Sequence, residues 1–171
     1  MSNLAVSTVA QGLLWAVMAL GIYVTFRVLD LADLTCEGSF PLGAATAAAL
    51  MASGHGVGTA LAAAAVAGML AGAVTGILTT KMKIPALLSG ILTMIALYSV
   101  NLRIMGKANL SLLGVDAVFS ITQQMTGLNN AQTTFAVGLA ATVIIGTAMY
   151  WFFGTEIGAA IRATGFNQQM I

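Results

Sequence analysis

The segment TALAAAAVAGMLAGAVTGILTT, residues 59–80, decides the class of fold. It carries no charge, and a helix of its length would measure about 33 Å, enough to cross a hydrocarbon core of roughly 30 Å. Ala64, Gly68, Gly72 and Gly76 recur every four residues, so these small side chains share one helix face. We therefore predict a transmembrane helix whose small face packs closely against another helix, either within the chain or between two copies.

The composition of the whole chain agrees with this segment. Hydrophobic residues make up 59% and charged residues 6%, which leaves too little polar surface for a water-soluble domain. The formal net charge is +1 without a basic or acidic run, so no nucleic-acid partner is expected. Cys36 is the single cysteine, which excludes an intramolecular disulfide and a multi-cysteine metal site. No removable signal peptide, metal site or cofactor is predicted.

The same length criterion predicts three further spans, at about residues 8–26, 85–100 and 132–153. A helix from Pro41 to about Ala52 would have only about twelve residues, or roughly 18 Å, too short to span alone. Residues 108–130 are mixed in polarity and predict a sizeable non-cytoplasmic connection with a short interfacial or re-entrant helix. The fold class is therefore all-α, a polytopic transmembrane bundle of about five spans with a short or broken second helix.

A polar stretch, VLDLADLTCEGSF at residues 28–40, precedes Pro41. The second helix could begin partway through the membrane after a broken, cavity-lining backbone, or residues 28–40 could be an aqueous loop. The first alternative makes four side chains candidates for a translocation path: Asp33, Thr35, Glu37 and Ser39.

The last stretch, GTEIGAAIRATGFNQQMI at residues 154–171, predicts a short helix from about Thr155 to Thr164. Thr155 can cap its start, Glu156 suits the first turn, and Gly165 would end it in a left-handed conformation. Taken alone, this amphipathic segment is also typical of an ordinary interfacial anchor.

The basic residues predict an orientation. Alternating the spans places Arg27, Lys81, Lys83 and Arg162 on one side and Arg103 and Lys107 on the other. By the positive-inside rule the first group is cytoplasmic, so the C-terminus is predicted inside and the N-terminus outside.

Four stretches together carry a resemblance to a known family: VTFRVLDLADLTCEGSFPLGA, AGMLAGAVTGILTTKMKIPALLSGILTMIALYSV, NLRIMGKANLSLL and the tail at residues 154–171. The chain resembles permease subunits of ATP-binding-cassette importers of the branched-chain amino acid and ribose-type sugar group, and NLRIMGKANLSLL looks most like an amino-acid-type branch. The resemblance implies one permease domain over residues 1–171 in a bacterial inner membrane, truncated at its C-terminus and equivalent to the N-terminal part, about half, of a longer family domain.

The same resemblance implies partners and a coupling site. The partners would be a cytoplasmic ATPase, an extracytoplasmic substrate-binding protein and a second permease copy. The tail is similar to the coupling helix that docks into the ATPase, with Gly158 and Ala159 expected to be exposed. The motif positions are Glu156, Gly158, Ala159, Arg162, Ala163, Thr164 and Gly165.

Two other functions compete with transport. An intramembrane enzyme would need Asp30, Asp33 or Glu37 to converge with His55, yet the spacing offers no catalytic or metal-binding constellation, so no catalytic residue is predicted. A small structural or assembly membrane protein, or a non-functional permease fragment, could instead associate through the Gly/Ala face alone.

Overall fold

A computed structural model describes residues 2–107, 109–110, 118–127 and 129–166. Residues 111–117 of the predicted connection and residues 167–171 of the tail lie outside this range. The described residues form seven α-helices and one π-helical turn. The helices are α1 (Ser2–Tyr23), continued by the π-turn (Val24–Val28), α2 (Thr35–Ala52), α3 (Val57–Thr80), α4 (Ala86–Met105), α5 (Val118–Thr126), α6 (Asn130–Gly154) and α7 (Glu156–Phe166). The prediction of an all-α fold is confirmed.

Four helical segments in the described part of the chain are long and apolar enough to cross a membrane. They are Leu4–Val28, Val57–Thr80, Ala86–Met105 and Asn130–Gly154. These segments confirm the four long spans expected from the sequence. With α2 as the broken second helix, the total agrees with about five. The predicted short helix in the connection is present as α5, whose nine residues would extend only about 14 Å.

Local signals in the sequence set the ends of several helices. Pro85 stands in extended conformation directly before α4, and Gly106 follows this helix with φ 66°, a left-handed conformation that glycine adopts without strain. Asn129 and Gln132 form a capping box at the start of α6. The turn between α2 and α3 contains Gly54 at φ 87°, a left-handed conformation that glycine adopts without strain.

The chain divides into two compact units, one formed by residues 1–31 and 118–171 and the other by residues 32–117. In the first unit α1 packs along α6. Ala10 is fully buried, and a Cβ added at Gly138 would lie 3.2 Å from the Cβ of Leu13. The Thr142 hydroxyl donates to the Leu13 carbonyl at 3.2 Å. Small residues on both helices therefore allow this pair to pack closely.

In the second unit α2 packs against both α3 and α4. A Cβ added at Gly38 would lie 2.9 Å from the Cα of Met94, and one added at Gly43 would lie 4.0 Å from the Cβ of Ala64. Gly38 therefore lets α2 lie directly on the backbone of α4. The prediction that residues 1–171 form a single permease domain stays a prediction.

The second helix is longer than predicted. It begins at Thr35 and contains Pro41 in its interior, so the predicted start at Pro41 is wrong. Its 18 residues extend about 27 Å rather than about 18 Å. The Asp33 carboxylate accepts the Thr35 N–H at 2.8 Å and so satisfies one free donor of the first turn, which favours the earlier start. Proline is tolerated inside a membrane helix when neighbouring helices support its backbone.

The small face of α3 is only partly covered by the described residues. α3 buries Ala60, Ala71 and Thr75. Ala64 lies beside Gly43, whereas a Cβ added at Gly68, Gly72 or Gly76 would meet no atom within 4 Å. The predicted packing of these three glycines against another helix stays a prediction.

Candidate functional site

The start of α2 lies well inside the helical layer of the second unit. A Cβ added at Gly90 would lie 2.7 Å from the Asp33 carboxylate, and Gly38 lies against Met94. Gly90 and Met94 are about 6 and 12 Å along α4 from Ala86, counting 1.5 Å per residue. Glu37 is therefore roughly a third of the way along α4. This geometry favours the interpretation that the second helix begins partway through the membrane after a broken backbone segment.

A chain of hydroxyl groups holds this break in place. The Thr35 hydroxyl donates to the Asp33 carboxylate at 2.5 Å and lies 2.8 Å from the Thr75 hydroxyl. Thr75 in turn lies 2.9 Å from the Thr93 hydroxyl. Thr35, Thr75 and Thr93 are all buried. One polar network therefore joins the starts of α2 and α4 to the end of α3.

A second hydroxyl pair lies next to the first. Thr79 and Ser89 approach to 2.7 Å, and Ser89 is completely buried. Sequence reasoning missed Thr75, Thr79, Ser89 and Thr93. A signal was present in the sequence. Thr75 and Thr79 are four residues apart near the end of α3, and Ser89 and Thr93 are four residues apart near the start of α4.

A cavity of about 380 Å³ opens beside the break. Its lining consists of Glu37, Gly38, Pro41, Met94, Ile95, Tyr98 and Asn101. A neighbouring cavity of about 440 Å³ shares Pro41, Tyr98 and Asn101 with the first and extends to Met105, Asn109 and Leu110. The two cavities form one groove between α2 and α4, which we call the α2/α4 groove. It runs from the level of Glu37 to the end of α4.

Asn101 is the polar centre of this groove and was not predicted as a site residue. Its side chain is 7% exposed, and its Oδ1 atom is buried without a hydrogen-bond partner in the described chain. An unsatisfied buried acceptor is costly and calls for a specific explanation.

The four predicted path residues have different environments. Asp33 and Thr35 hold the break through the hydroxyl network. Glu37 is exposed and lines the α2/α4 groove. Ser39 is half-buried, and its hydroxyl donates to the Cys36 carbonyl at 3.4 Å.

The tail forms α7 directly after α6. Thr155 caps it as predicted, because its hydroxyl accepts the Gly158 N–H at 3.2 Å and donates to the Phe152 carbonyl at 2.6 Å. The helix runs to Phe166, two residues beyond the predicted end. The predicted left-handed terminator at Gly165 is therefore wrong, since this glycine lies within the helix.

Gly158 and Gly165 instead allow α7 to lie against its own unit. Gly158 is buried, which corrects the prediction that it is exposed: an added Cβ would lie 2.5 Å from the Cα of Phe153. A Cβ added at Gly165 would collide with the carbonyl oxygen of Val28 at the end of the π-turn. Thus two glycines, two helical turns apart, allow two close backbone contacts.

The side of α7 that faces away from Gly158 and Gly165 is exposed in the described chain. Glu156, Ala159 and Ala163 are exposed, and we call these three residues the outer face of α7; Arg162 is also exposed but follows Gly158 by four residues and therefore lies on the side of the two glycines. Thr164 is half-buried and donates to the Ile161 carbonyl at 2.6 Å. Arg162 also lines a cavity of about 390 Å³ with Arg27 and Asp30. The seven predicted coupling positions therefore divide between an outer face and an inner supporting side.

Comparison with known proteins identifies the family. The chain is 38% identical over 166 residues to the tyrosine transport system permease protein of Clostridioides difficile (strain R20291), covering 97% of this chain and 53% of that protein. It is 32% identical over 169 residues to an uncharacterized protein of Rickettsia prowazekii (strain Madrid E), covering 99% of this chain and 57% of that protein. The chain thus spans about half the length of the curated relatives it matches.

No solved structure matches the chain significantly. The family described as "Branched-chain amino acid transport system / permease component" matches residues 4–171. Together with the four apolar spans, this match makes the protein a multi-pass membrane protein. The chain belongs to the family of permease components of branched-chain amino acid transport systems.

Proposed function

We propose that this chain forms the membrane-spanning part of an ATP-binding-cassette importer that carries an amino acid or a related small solute. The single observation that carries the proposal is the family match over residues 4–171. The relative named as a tyrosine transport permease makes L-tyrosine the first solute to test. ATP hydrolysis is assigned to a separate cytoplasmic subunit. An extracytoplasmic binding protein delivers the solute.

The outer face of α7 is proposed as the docking surface for the ATPase. Ala159 presents a small side chain that permits close approach, and Glu156 offers a charged group for hydrogen bonds to the partner; the exposed Arg162 offers a second charged group from the edge of this surface. Gly158 and Gly165 act from the inner side by holding the helix against its own unit. Substitution at the inner glycines would therefore impair coupling by displacing α7, whereas substitution at Ala159 would block the docking surface directly.

The remaining partners and the location follow from the same proposal. The protein lies in a bacterial inner membrane with its N-terminus outside and α7 in the cytoplasm, supported by the excess of basic residues on that side. A second permease copy completes the transporter. The uncovered face of Gly68, Gly72 and Gly76 is suited to close helix contact with that copy or with further helices of the permease.

Co-purification tests the coupling assignment. The permease is expressed with a candidate ATP-binding-cassette ATPase, and the ATPase recovered on the tagged permease is measured together with ATP hydrolysis in proteoliposomes. Ala159→Trp should reduce both. Ala140→Trp is the matched control because Ala140 is an exposed alanine on α6, away from the outer face of α7. ATPase recovery with Ala159→Trp equal to that with the control would refute the docking surface.

A structural or assembly protein is the second candidate function, and the uncovered glycine face of α3 is the observation that favours it. Such a protein would form a detergent-stable homo-oligomer that binds no ATPase. Gly72→Leu would then break the oligomer, because the larger side chain prevents close helix contact. Light scattering in detergent, carried out beside the ATPase co-purification, distinguishes the two functions.

A further inference from the structure

We propose that the α2/α4 groove binds the transported solute and that Asn101 and Glu37 recognise the ammonium group of an α-amino acid there. This inference rests on the proposed transport function and adds the site and the chemistry of recognition. Asn101, at the centre of the groove, was not among the residues predicted from the sequence.

Asn101 provides the first argument. Its Oδ1 atom is a buried acceptor without a protein donor in the described chain, and its side chain lines both cavities of the groove. Leaving such an acceptor unsatisfied is destabilising. A small reorientation of the amide lets the oxygen accept an N–H from a solute in the groove, while the amide NH₂ group can donate to the solute carboxylate. The side chain can thus address both ends of an amino acid backbone.

Glu37 provides the second argument. It is exposed on the wall of the groove, roughly a third of the way along α4. A carboxyl side chain facing hydrocarbon at that depth is costly. We therefore expect water or further protein, rather than lipid, against this side of the groove. A cationic group on the solute would pair with this carboxylate.

Pro41 adds a further acceptor at the same place. Because proline has no N–H, the Glu37 carbonyl lacks its usual helical donor four residues ahead. Glu37 and Pro41 both line the cavity of about 380 Å³. The groove thus offers the Glu37 carboxylate and the Asn101 amide oxygen, with the Glu37 carbonyl freed at a residue that lines it, and an ammonium group supplies three donors to such a set.

The rest of the groove is apolar and selects the side chain of the solute. Met94, Ile95 and the ring of Tyr98 form this wall. Both cavities fall within the 300–1,000 Å³ range that is usual for small-molecule sites. The arrangement therefore fits an amino acid with an apolar or aromatic side chain better than a sugar or an acidic solute.

Cysteine labelling tests whether the groove is wet. The background is Cys36→Ser, which removes the single native thiol. Tyr98→Cys and Met69→Cys form a matched pair, because both native side chains are 67% exposed but only Tyr98 lines the groove. A charged, membrane-impermeant thiol reagent should label Tyr98→Cys at least about tenfold faster in proteoliposomes, and L-tyrosine should slow that labelling. Equal rates at the two positions would overturn the proposal.

Uptake kinetics test the recognition chemistry in cells that also express the ATPase and the binding protein. Asn101→Leu and Glu37→Gln should each raise the KM for L-tyrosine about tenfold, equivalent to about 1.4 kcal/mol of binding. ATPase recovery on the permease should stay unchanged, and Asn101→Gln should recover part of the affinity. Wild-type KM values in both variants would overturn this inference alone. Failure of the unaltered transporter to take up any amino acid would overturn the proposed function and this ligand together.

Discussion

Replacing Thr75 with valine tests whether the hydroxyl network stabilises the broken start of α2. Valine preserves the shape of threonine and removes the hydroxyl that lies 2.8 Å from Thr35 and 2.9 Å from Thr93. Thr35 donates its own proton to Asp33, and Thr93 donates to the Ser89 carbonyl, so the single Thr75 proton, which is donated to Thr93, is the remaining donor among the three hydroxyls. The substitution therefore removes the link between the two neighbours.

The magnitude follows from what such bonds contribute in a membrane. Side-chain hydrogen bonds between membrane helices average about 0.6 kcal/mol and reach about 1.7 kcal/mol. One lost donated hydrogen bond at a buried site predicts about 0.6–1.7 kcal/mol of destabilisation for Thr75→Val. Thr75→Ser should recover most of it, because serine keeps the hydroxyl.

Unfolding in mixed detergent micelles, followed by far-ultraviolet circular dichroism, measures this loss. Trp15 and Trp151 both belong to the other unit, so tryptophan fluorescence serves as a separate probe of that unit. Thr80→Val is the matched control, since the exposed Thr80 hydroxyl bonds only to the Gly76 carbonyl one turn earlier in α3. If Thr75→Val and Thr80→Val shift the midpoint equally, the network does not stabilise the break.

Two glycine substitutions give further predictions. Gly90→Ala should destabilise the fold by about 1–3 kcal/mol, because its Cβ would lie 2.7 Å from the backbone nitrogen of Leu34. Gly72→Ala is the control and should not destabilise it, because a Cβ there meets no atom within 4 Å. The same unfolding experiment measures both variants, and equal midpoints would contradict the close contact at Gly90. Gly165→Ala should loosen the end of α7 from the Val28 carbonyl and raise hydrogen exchange in α7 at least about tenfold while leaving α3 unchanged. Unchanged exchange in α7 would count against that contact.

Much of the fold could be predicted because the membrane imposes simple rules. A long uncharged segment must form a helix to satisfy its backbone, so the four spans follow from residue type and length. The cap at Thr155 also follows from local chemistry, since its hydroxyl needs only the N–H groups of the next turn.

The errors arose where tertiary contacts override local preference. Pro41 is a strong local signal for a helix start, yet contacts of α2 with α4 and the Asp33 carboxylate move the start to Thr35. Gly165 suggested a left-handed helix end, but its lack of a side chain serves a close backbone contact instead. A single sequence does not distinguish these two uses of glycine.

The candidate site was only half predictable for a related reason. Glu37 stood out because a carboxylate is rare in an apolar chain. Asn101 did not, since an asparagine near a helix end is usually solvated. Its importance depends on α2 lying across α4, which buries its oxygen and leaves the atom unsatisfied. Only the packed structure distinguishes this asparagine from an ordinary polar residue at the end of a span.

The two inner glycines also define how α7 could transmit a force. Gly158 places α7 against the end of α6, and Gly165 places it against the end of the π-turn that continues α1. Because an added Cβ at either position would meet backbone atoms rather than flexible side chains, both contacts are stiff. A displacement of α7 by a partner on its outer face would therefore be transmitted to α6 and to α1 together. A helix that contacted its unit at one end only would rotate about that contact instead.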